Sequence, residues 1–353
     1  MKQMKKITAV VLALVLALGL SGCGRLQIAK ELATINGNMV SVAEYKYYLE
    51  SIKEQMLAES GATDAKTFWD GEIDGKKATD VAKERARAEM IRVEIAASKA
   101  LESGLALDSA AEGQINSVVK AKDAAAKAQI DSIRSATGLS EMGLKNLLTK
   151  TTLASMYAQN VQITEPDKLA VSDEAINEKY NSDYARVKHI LIMNAKQEDA
   201  EAAESEETID PEAYKAEQKL LADEVLAKAK AGKNFESLIA EYGEDPGMES
   251  MPDGYVIDKN GNDASGSGTM VPEFTQGSFS VEVGGITELV ESSYGWHIIK
   301  RYALPTSGEM YDSAIQTVKG YLMQDKYNEL IDSYQSEFDI KINEKEIEKI
   351  KID

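Results

Sequence analysis

Cysteine, histidine and proline are all scarce in this 353-residue chain, and each scarcity narrows what the protein can be. One cysteine closes no disulfide within the chain, and two histidines leave too few ligands for a closed zinc site. The reading is of a protein that works with neither metal nor cofactor. Basic residues are also in short supply: 40 Lys and Arg against 59 Asp and Glu give a formal net charge of −19. Every phosphate contact would be made against that field, so protein or cationic partners are expected and no nucleic acid. At 43% hydrophobic and 28% charged, the chain is too apolar for disorder and too polar for repeated membrane spans. Its length suggests two or three domains, each able to bury a core.

At the N-terminus, Lys2, Lys5 and Lys6 precede an apolar run from Ile7 to Leu20 that is too short to span a bilayer comfortably and reads as a signal peptide. Its end, Leu20-Ser21-Gly22-Cys23, resembles a bacterial lipobox. That resemblance implies removal of residues 1–22 and acylation of Cys23, which would account for the only cysteine. Acyl chains contribute about 0.8 kcal/mol per buried methylene, so several would hold the body on the outer face of a bacterial cell membrane. A plain secretory signal with an incidental cysteine, or an uncleaved anchor, are the alternatives.

All six prolines lie between Pro166 and Pro305, and glycines concentrate between Gly232 and Gly308, so a turn-rich middle separates two proline-free flanks. In the first flank Ala82, Ala86, Met90, Val93, Ala97 and Leu101 recur at helical spacing, and Ile115, Val118 or Val119, Ile130 and Ile133 continue the pattern. Tyr311, Ile315, Val318 and Leu322 do the same in the second. The flanks read as one helical body interrupted by an insertion.

In the middle, Arg186 to Ile192 has strand character, and Glu198 to Glu212 holds eight carboxylates and no base, a solvated loop. Pro211 opens a helix that Gly232 ends, Phe235 to Ile239 starts a second, Gly254 to Gly268 reads as loop, and Trp296 to Lys300 is a final strand. His189 sits in the first of these strands and His297 in the last. If those strands pair at the centre of one sheet, the imidazoles meet over its face; two strand histidines are otherwise ordinary, satisfied core residues.

Four segments in order, Val187-Lys188-His189-Ile190-Leu191-Ile192, Phe235-Glu236-Ser237-Leu238, Met270-Val271-Pro272-Glu273-Phe274 and Tyr294-Gly295-Trp296-His297-Ile298-Ile299, resemble the signatures of parvulin-type peptidyl-prolyl isomerases. With the lipobox, the helical flanks, and Ala33-Thr34-Ile35-Asn36-Gly37 followed by Tyr45 to Leu49, the chain resembles PrsA-type extracytoplasmic foldase lipoproteins, related in architecture to SurA. The resemblance implies an α+β chain: a small parvulin-like domain, antiparallel sheet with surrounding helices, inserted in an all-α chaperone domain built from both flanks. The expected boundaries are a signal peptide at 1–22, a tether at 23–33, helical parts at 34–180 and 306–340 around an isomerase domain at 181–305, and a tail at 341–353 that adds a short strand and then frays.

Carried over residue by residue, the resemblance makes His189 and His297 the paired histidines of the centre, with Asp245 where the family has cysteine or aspartate. Met270 and Phe274 become the apolar wall for the substrate proline ring. The family's compact turn is replaced here by Asp253-Gly254-Tyr255-Val256-Ile257 and an extra loop from Asp258 to Gly268, so Tyr255 or Ile257 is expected to supply the third wall. Carboxylates follow the first strand where phosphate-reading parvulins place bases, which argues against a phosphoserine-proline preference. The implied activity is cis/trans isomerisation of X–Pro bonds in unfolded secreted proteins, with the helical body holding those clients. The alternative is a holdase whose parvulin domain is inactive; a solute-binding lipoprotein would need two similar lobes, which the flanks do not supply. Dimerisation through the helical body is left open.

Overall fold

The computed structural model describes residues 30–62, 64–195, 210–266 and 268–352. Cys23, the apolar N-terminal run and most of the acidic stretch lie outside the described residues. The chain divides into two compact units, Met1–Ala170 with Met323–Asp353, and Val171–Leu322. Among the described residues no helix is long and apolar enough to cross a membrane.

The first unit begins with strands β1 (Glu31–Ile35) and β2 (Asn38–Ser41), a hairpin turning at Asn36 and Gly37, both at positive φ as a tight primed turn requires. Helices α1 (Val42–Ser60) and α2 (Ala65–Asp70), the short pair β3 (Glu72–Ile73) and β4 (Lys76–Lys77), and helices α3 (Ala78–Glu102), α4 (Ser109–Val119), α5 (Ala124–Thr137) and α6 (Glu141–Thr164) follow. Ser41 caps α1 by accepting the Glu44 N–H, and Gly61 ends it in the left-handed region. The alanine stripe of α3 is buried at Ala82, Ala86 and Ala97, and these small side chains let α1 and α6 pack closely on it. From Ala97 the buried stripe steps three residues to Ala100, so Leu101 stands 59% exposed, against expectation.

The tail does not fray. Strand β9 (Ile340–Ile342) pairs antiparallel with β1 to complete a β2-β1-β9 sheet, and helix α13 (Glu344–Glu348) follows with Ile347 buried and Glu344 paired to Arg87 at 2.8 Å. The helical body therefore carries a small sheet. It begins inside the stretch read as tether, because Leu32 and Ala33 are core residues.

The second unit contains α7 (Asp173–Asp183), β5 (Tyr184–Met193), α8 (Pro211–Lys230), α9 (Phe235–Tyr242), α10 (Pro246–Ser250), β6 (Tyr255–Asp258), α11 (Pro272–Phe279), β7 (Val290–Ser292) and β8 (Gly295–Tyr302), and α12 (Glu309–Ser333) starts in it. Its antiparallel sheet has the order β6-β5-β8-β7, with the first and last of the sequence-read strands at the centre. Strand alternation sends Ile190, Ile192, Trp296 and Ile298 to one face, against Val225, Phe235 and Leu238 of α8 and α9. Val187, His189, His297 and Ile299 take the other, where Phe274 of α11 packs. Residues 255–258, read as loop, form the edge strand β6: Tyr255 pairs with Val187 and Asp258 with Tyr184. The four residues are too few to show a period, and their partner lies about 70 positions earlier in the chain.

Candidate active site

In the register of β5 and β8, His189 lies opposite Ile299 and His297 opposite Leu191, which makes the two histidines diagonal neighbours on one face. Their rings stack at 5.3 Å and 27°, with Nδ1 to Nδ1 at 3.2 Å. His189 Nε2 reaches Asp245 Oδ2 at 2.9 Å, and His297 Nε2 reaches Ser292 Oγ at 2.7 Å. Both imidazoles are buried.

Asp245 is held from several sides. As N-cap of α10 it accepts the Gly247 N–H at Oδ1 and the Met248 N–H at Oδ2, with Pro246 opening the helix. The Tyr255 hydroxyl donates to Oδ2 at 2.8 Å. Burial raises the Asp245 pKa, but the hydrogen bond and charge of His189, then Tyr255 and the Gly247 N–H, outweigh it and bring the carboxyl down to about 2. Burial foremost, then the neighbouring His189, brings His297 down to about 3, so it is neutral at physiological pH.

With His297 neutral and Asp245 an anion, one proton direction satisfies every partner. Ser292 O–H donates to His297 Nε2, His297 Nδ1–H to His189 Nδ1, and His189 Nε2–H to Asp245, while Ser292 Oγ accepts the Tyr294 N–H at 3.1 Å. The chain of bonds ends on an anion, which fixes both tautomers.

Phe274 closes over the pair, its ring 4.8 Å from His189 and 5.4 Å from His297, both edge-on. Met270, half-buried, packs on the same apolar cluster as Tyr255, Ile257 and Phe274. The extra loop sets its place: the Asp258 carboxylate caps the Asn260 and Asn262 N–H groups, and the Met270 N–H donates to Gly261 O at 2.8 Å. Gly261, at φ +83°, leaves no room for a side chain, since a Cβ would lie 2.5 Å from Thr275 Oγ1.

Thus His189, His297, Asp245, Tyr255, Met270 and Phe274 come together in one region of one unit. Tyr255 has its hydroxyl committed to Asp245, and Ile257 is fully buried. Ser292 is the member that reading the sequence missed. Its only signal is its place, five residues before His297, at the end of the strand β7 that pairs with the last strand.

Residues 174–302 match the PPIC-type PPIASE domain. The second unit is therefore a peptidyl-prolyl isomerase domain of parvulin type, carried on the same chain as a helical unit. Over most of its length the chain is similar to the foldase protein PrsA of Caldanaerobacter subterraneus subsp. tengcongensis, 25% identical over 302 residues that cover 85% of this chain and 81% of that protein. The foldase protein PrsA of Halalkalibacterium halodurans is 32% identical over 155 residues, 43% of this chain and 36% of the relative. Among solved structures, peptidylprolyl isomerase PrsA from Bacillus cereus aligns with 90% of this chain and 96% of its own at 18% identity and a TM-score of 0.30. The resemblance carried by the four motifs is borne out by the domain match and by the PrsA sequence similarity.

Proposed function

We propose that this chain is an extracytoplasmic, lipid-anchored folding factor that isomerises X–Pro bonds in unfolded secreted proteins, with His189, His297 and Asp245 as its polar floor and Met270 and Phe274 as its proline wall. The observation that carries this is the unbroken bond chain from Ser292 through both imidazoles to an ionised Asp245 beneath an apolar cluster.

The reaction needs no covalent step. Rotation about an X–Pro amide faces a barrier of about 18–20 kcal/mol, set by resonance that is lost when the bond twists. Each tenfold acceleration requires about 1.4 kcal/mol of preference for the twisted form. Apolar contacts at Met270 and Phe274 hold the ring and exclude water, while the acyl carbonyl turns about the fixed proline. Resonance places negative charge on that oxygen in the planar amide and withdraws it in the twisted one. A carboxylate kept ionised nearby, Asp245, therefore penalises the planar form more than the twisted one. His189 positions that carboxylate by donating to it, and His297 holds His189 in turn.

The helical unit would hold client chains while the isomerase unit acts, and Cys23 would carry the lipid. The reading is tested by refolding a protein whose slow phase is X–Pro isomerisation, a step of about 10–100 s, with substoichiometric full chain. Acceleration of that phase supports it; suppressed aggregation with an unchanged slow phase would instead identify a holdase. Labelled fatty acid incorporated in wild type but not in Cys23→Ala tests the anchor.

A further inference from the structure

Between Tyr242, the last residue of α9, and Pro246, the first of α10, the chain turns in three residues, Gly243, Glu244 and Asp245. Gly243 ends α9 by donating its N–H to Ile239 O at 2.8 Å, and Asp245 caps α10. Glu244 serves neither helix. Its N–H donates to Leu191 O at 3.0 Å, and its carboxylate accepts the Met193 N–H at 2.6 Å.

These two groups of β5 lie where the sheet runs out. In an antiparallel ladder every second residue turns both its main-chain groups to the same neighbour. The Asn194 N–H donates to Tyr294 O on the β8 side, so Leu191 and Met193 face the other edge. Strand β6 covers that edge only as far as Val187, which pairs with Tyr255. Beyond it Glu244 provides a donor and an acceptor from a single position, as a residue of a paired strand would. The acceptor is charged, which makes its bond among the stronger ones. His189 precedes Leu191 by two residues on this strand, and Asp245 is the residue joined to Glu244, so both partners of the 2.9 Å His189–Asp245 bond are tied to one clamp. The far end of the bond chain is fastened to the same place: Tyr294 accepts the Asn194 N–H and donates its own N–H to Ser292 Oγ.

We propose that Glu244 is a positioning residue of the isomerase: by clamping the end of β5 it sets the reach of the Asp245 carboxylate to His189, and with it the place of that anion beside the X–Pro carbonyl. The role in the reaction rests on the isomerase reading above. Glu244 is exposed and spends its carboxylate on a main-chain N–H, so it acts through Asp245 and not on the substrate. What the site needs from it is length. A displacement of about 1 Å at a group that acts by orientation costs up to about a hundredfold in rate.

The test compares three variants of the full chain, Glu244→Ala, Glu244→Asp and Glu244→Gln, in the isomerisation of an unstructured X–Pro tetrapeptide followed over a range of peptide concentrations, with the ¹⁵N spectrum of the imidazoles and the melting temperature recorded for each. Glu244→Asp keeps the charge and loses the reach; Glu244→Gln loses the charge and keeps an oxygen at the same reach. The expected result is that alanine and aspartate lower kcat about tenfold with KM little changed, and that glutamine restores most of it. The His189 Nε2–H signal should move in the alanine and aspartate variants and stay near its wild-type position in the glutamine variant. An aspartate variant as fast as wild type beside a slow glutamine variant makes the role one of charge and overturns the proposal. So does an alanine variant with wild-type kcat and an unmoved His189 signal, or a loss of rate that only follows the unfolded fraction given by the melting curve. A wild type that accelerates nothing defeats the isomerase reading instead, and the His189 signal still decides whether Glu244 sets the His189–Asp245 bond.

Discussion

His189 and His297, 108 residues apart in the chain, approach to 3.2 Å between their Nδ1 atoms because β5 and β8 pair in a register that sets them diagonally on one face. A one-residue slip would send one ring to the opposite face, among Ile190, Ile298 and Phe235. The contact exists only when the unit has closed around its central strand pair, so the site reports the fold that makes it.

Ser292 fixes the far end of this relationship. Ser292→Ala leaves His297 Nε2 without its donor and the Tyr294 N–H without its acceptor. The expected cost is about 1–2 kcal/mol in urea unfolding, with a several-fold lower isomerisation rate. Ser292→Thr, which keeps the hydroxyl, should restore most of both.

The two units should respond to acid in opposite directions. His297 is lowered to about 3 in the folded state, so the unfolded chain takes up the proton first, at about 6.5, and stability falls as pH drops below that value. Asp245, lowered to about 2, adds a further loss between about pH 4 and 2. On the order of 3 kcal/mol should be gone from the isomerase unit by pH 4. Amide exchange in β5 and β8 measures this, and His297→Gln should remove the upper part of the slope.

In the helical unit Lys150 bridges two carboxylates, Glu44 at 2.9 Å and Glu94, both buried. Burial foremost raises Glu94 to about 7, Lys150 opposes, and Glu44 adds to the rise. A carboxyl raised above its unfolded value stabilises at low pH and loses that contribution as pH rises through 7. Amide exchange in α3 and α6 should therefore slow as pH falls from about 7 towards 4.5, the unfolded range, and Glu94→Gln should flatten the response. Lys150→Met strands two carboxylates and should cost about 3–5 kcal/mol at neutral pH.

Asp245 combines two tasks that substitution can separate. Asp245→Asn retains an oxygen for the α10 cap but removes the anion that receives His189 Nε2–H and Tyr255 O–H. The rate should fall tenfold or more while unfolding shifts by only about 1–2 kcal/mol. Tyr255→Phe should lower the rate a few-fold, and the two changes together should be less than additive, because they act through one carboxylate.

Much of this was legible in the sequence where period and pairing agree. The runs around His189 and His297 announce two strands at the ends of one domain, and the central pairing that would bring the two rings together is the one the sheet has. The alanine stripe of α3 carries its own helical spacing and follows it until Leu101. What escaped depends on partners distant in the chain. Strand β6 is four residues beside Gly254, and only pairing with Tyr184–Val187 makes it a strand. The tail helix is ordered by burial of Ile347 and by Arg87, neither visible from Glu344 onward. Ser292 has no composition or spacing signal of its own; the hairpin aims it at His297. Tyr255 was expected as a wall residue, while its hydroxyl serves Asp245 through the same unseen strand.

The central claim is that the imidazole pair and Asp245 accelerate rotation about X–Pro bonds. Exchange NMR of an unstructured X–Pro tetrapeptide, with catalytic amounts of full chain, reads cis/trans interconversion directly. Faster exchange with wild type, reduced at least tenfold by His189→Gln and by His297→Gln in proteins whose β5 and β8 amides stay protected, is the predicted result. Exchange no faster than in buffer, or an acceleration that both variants retain in full, would contradict it.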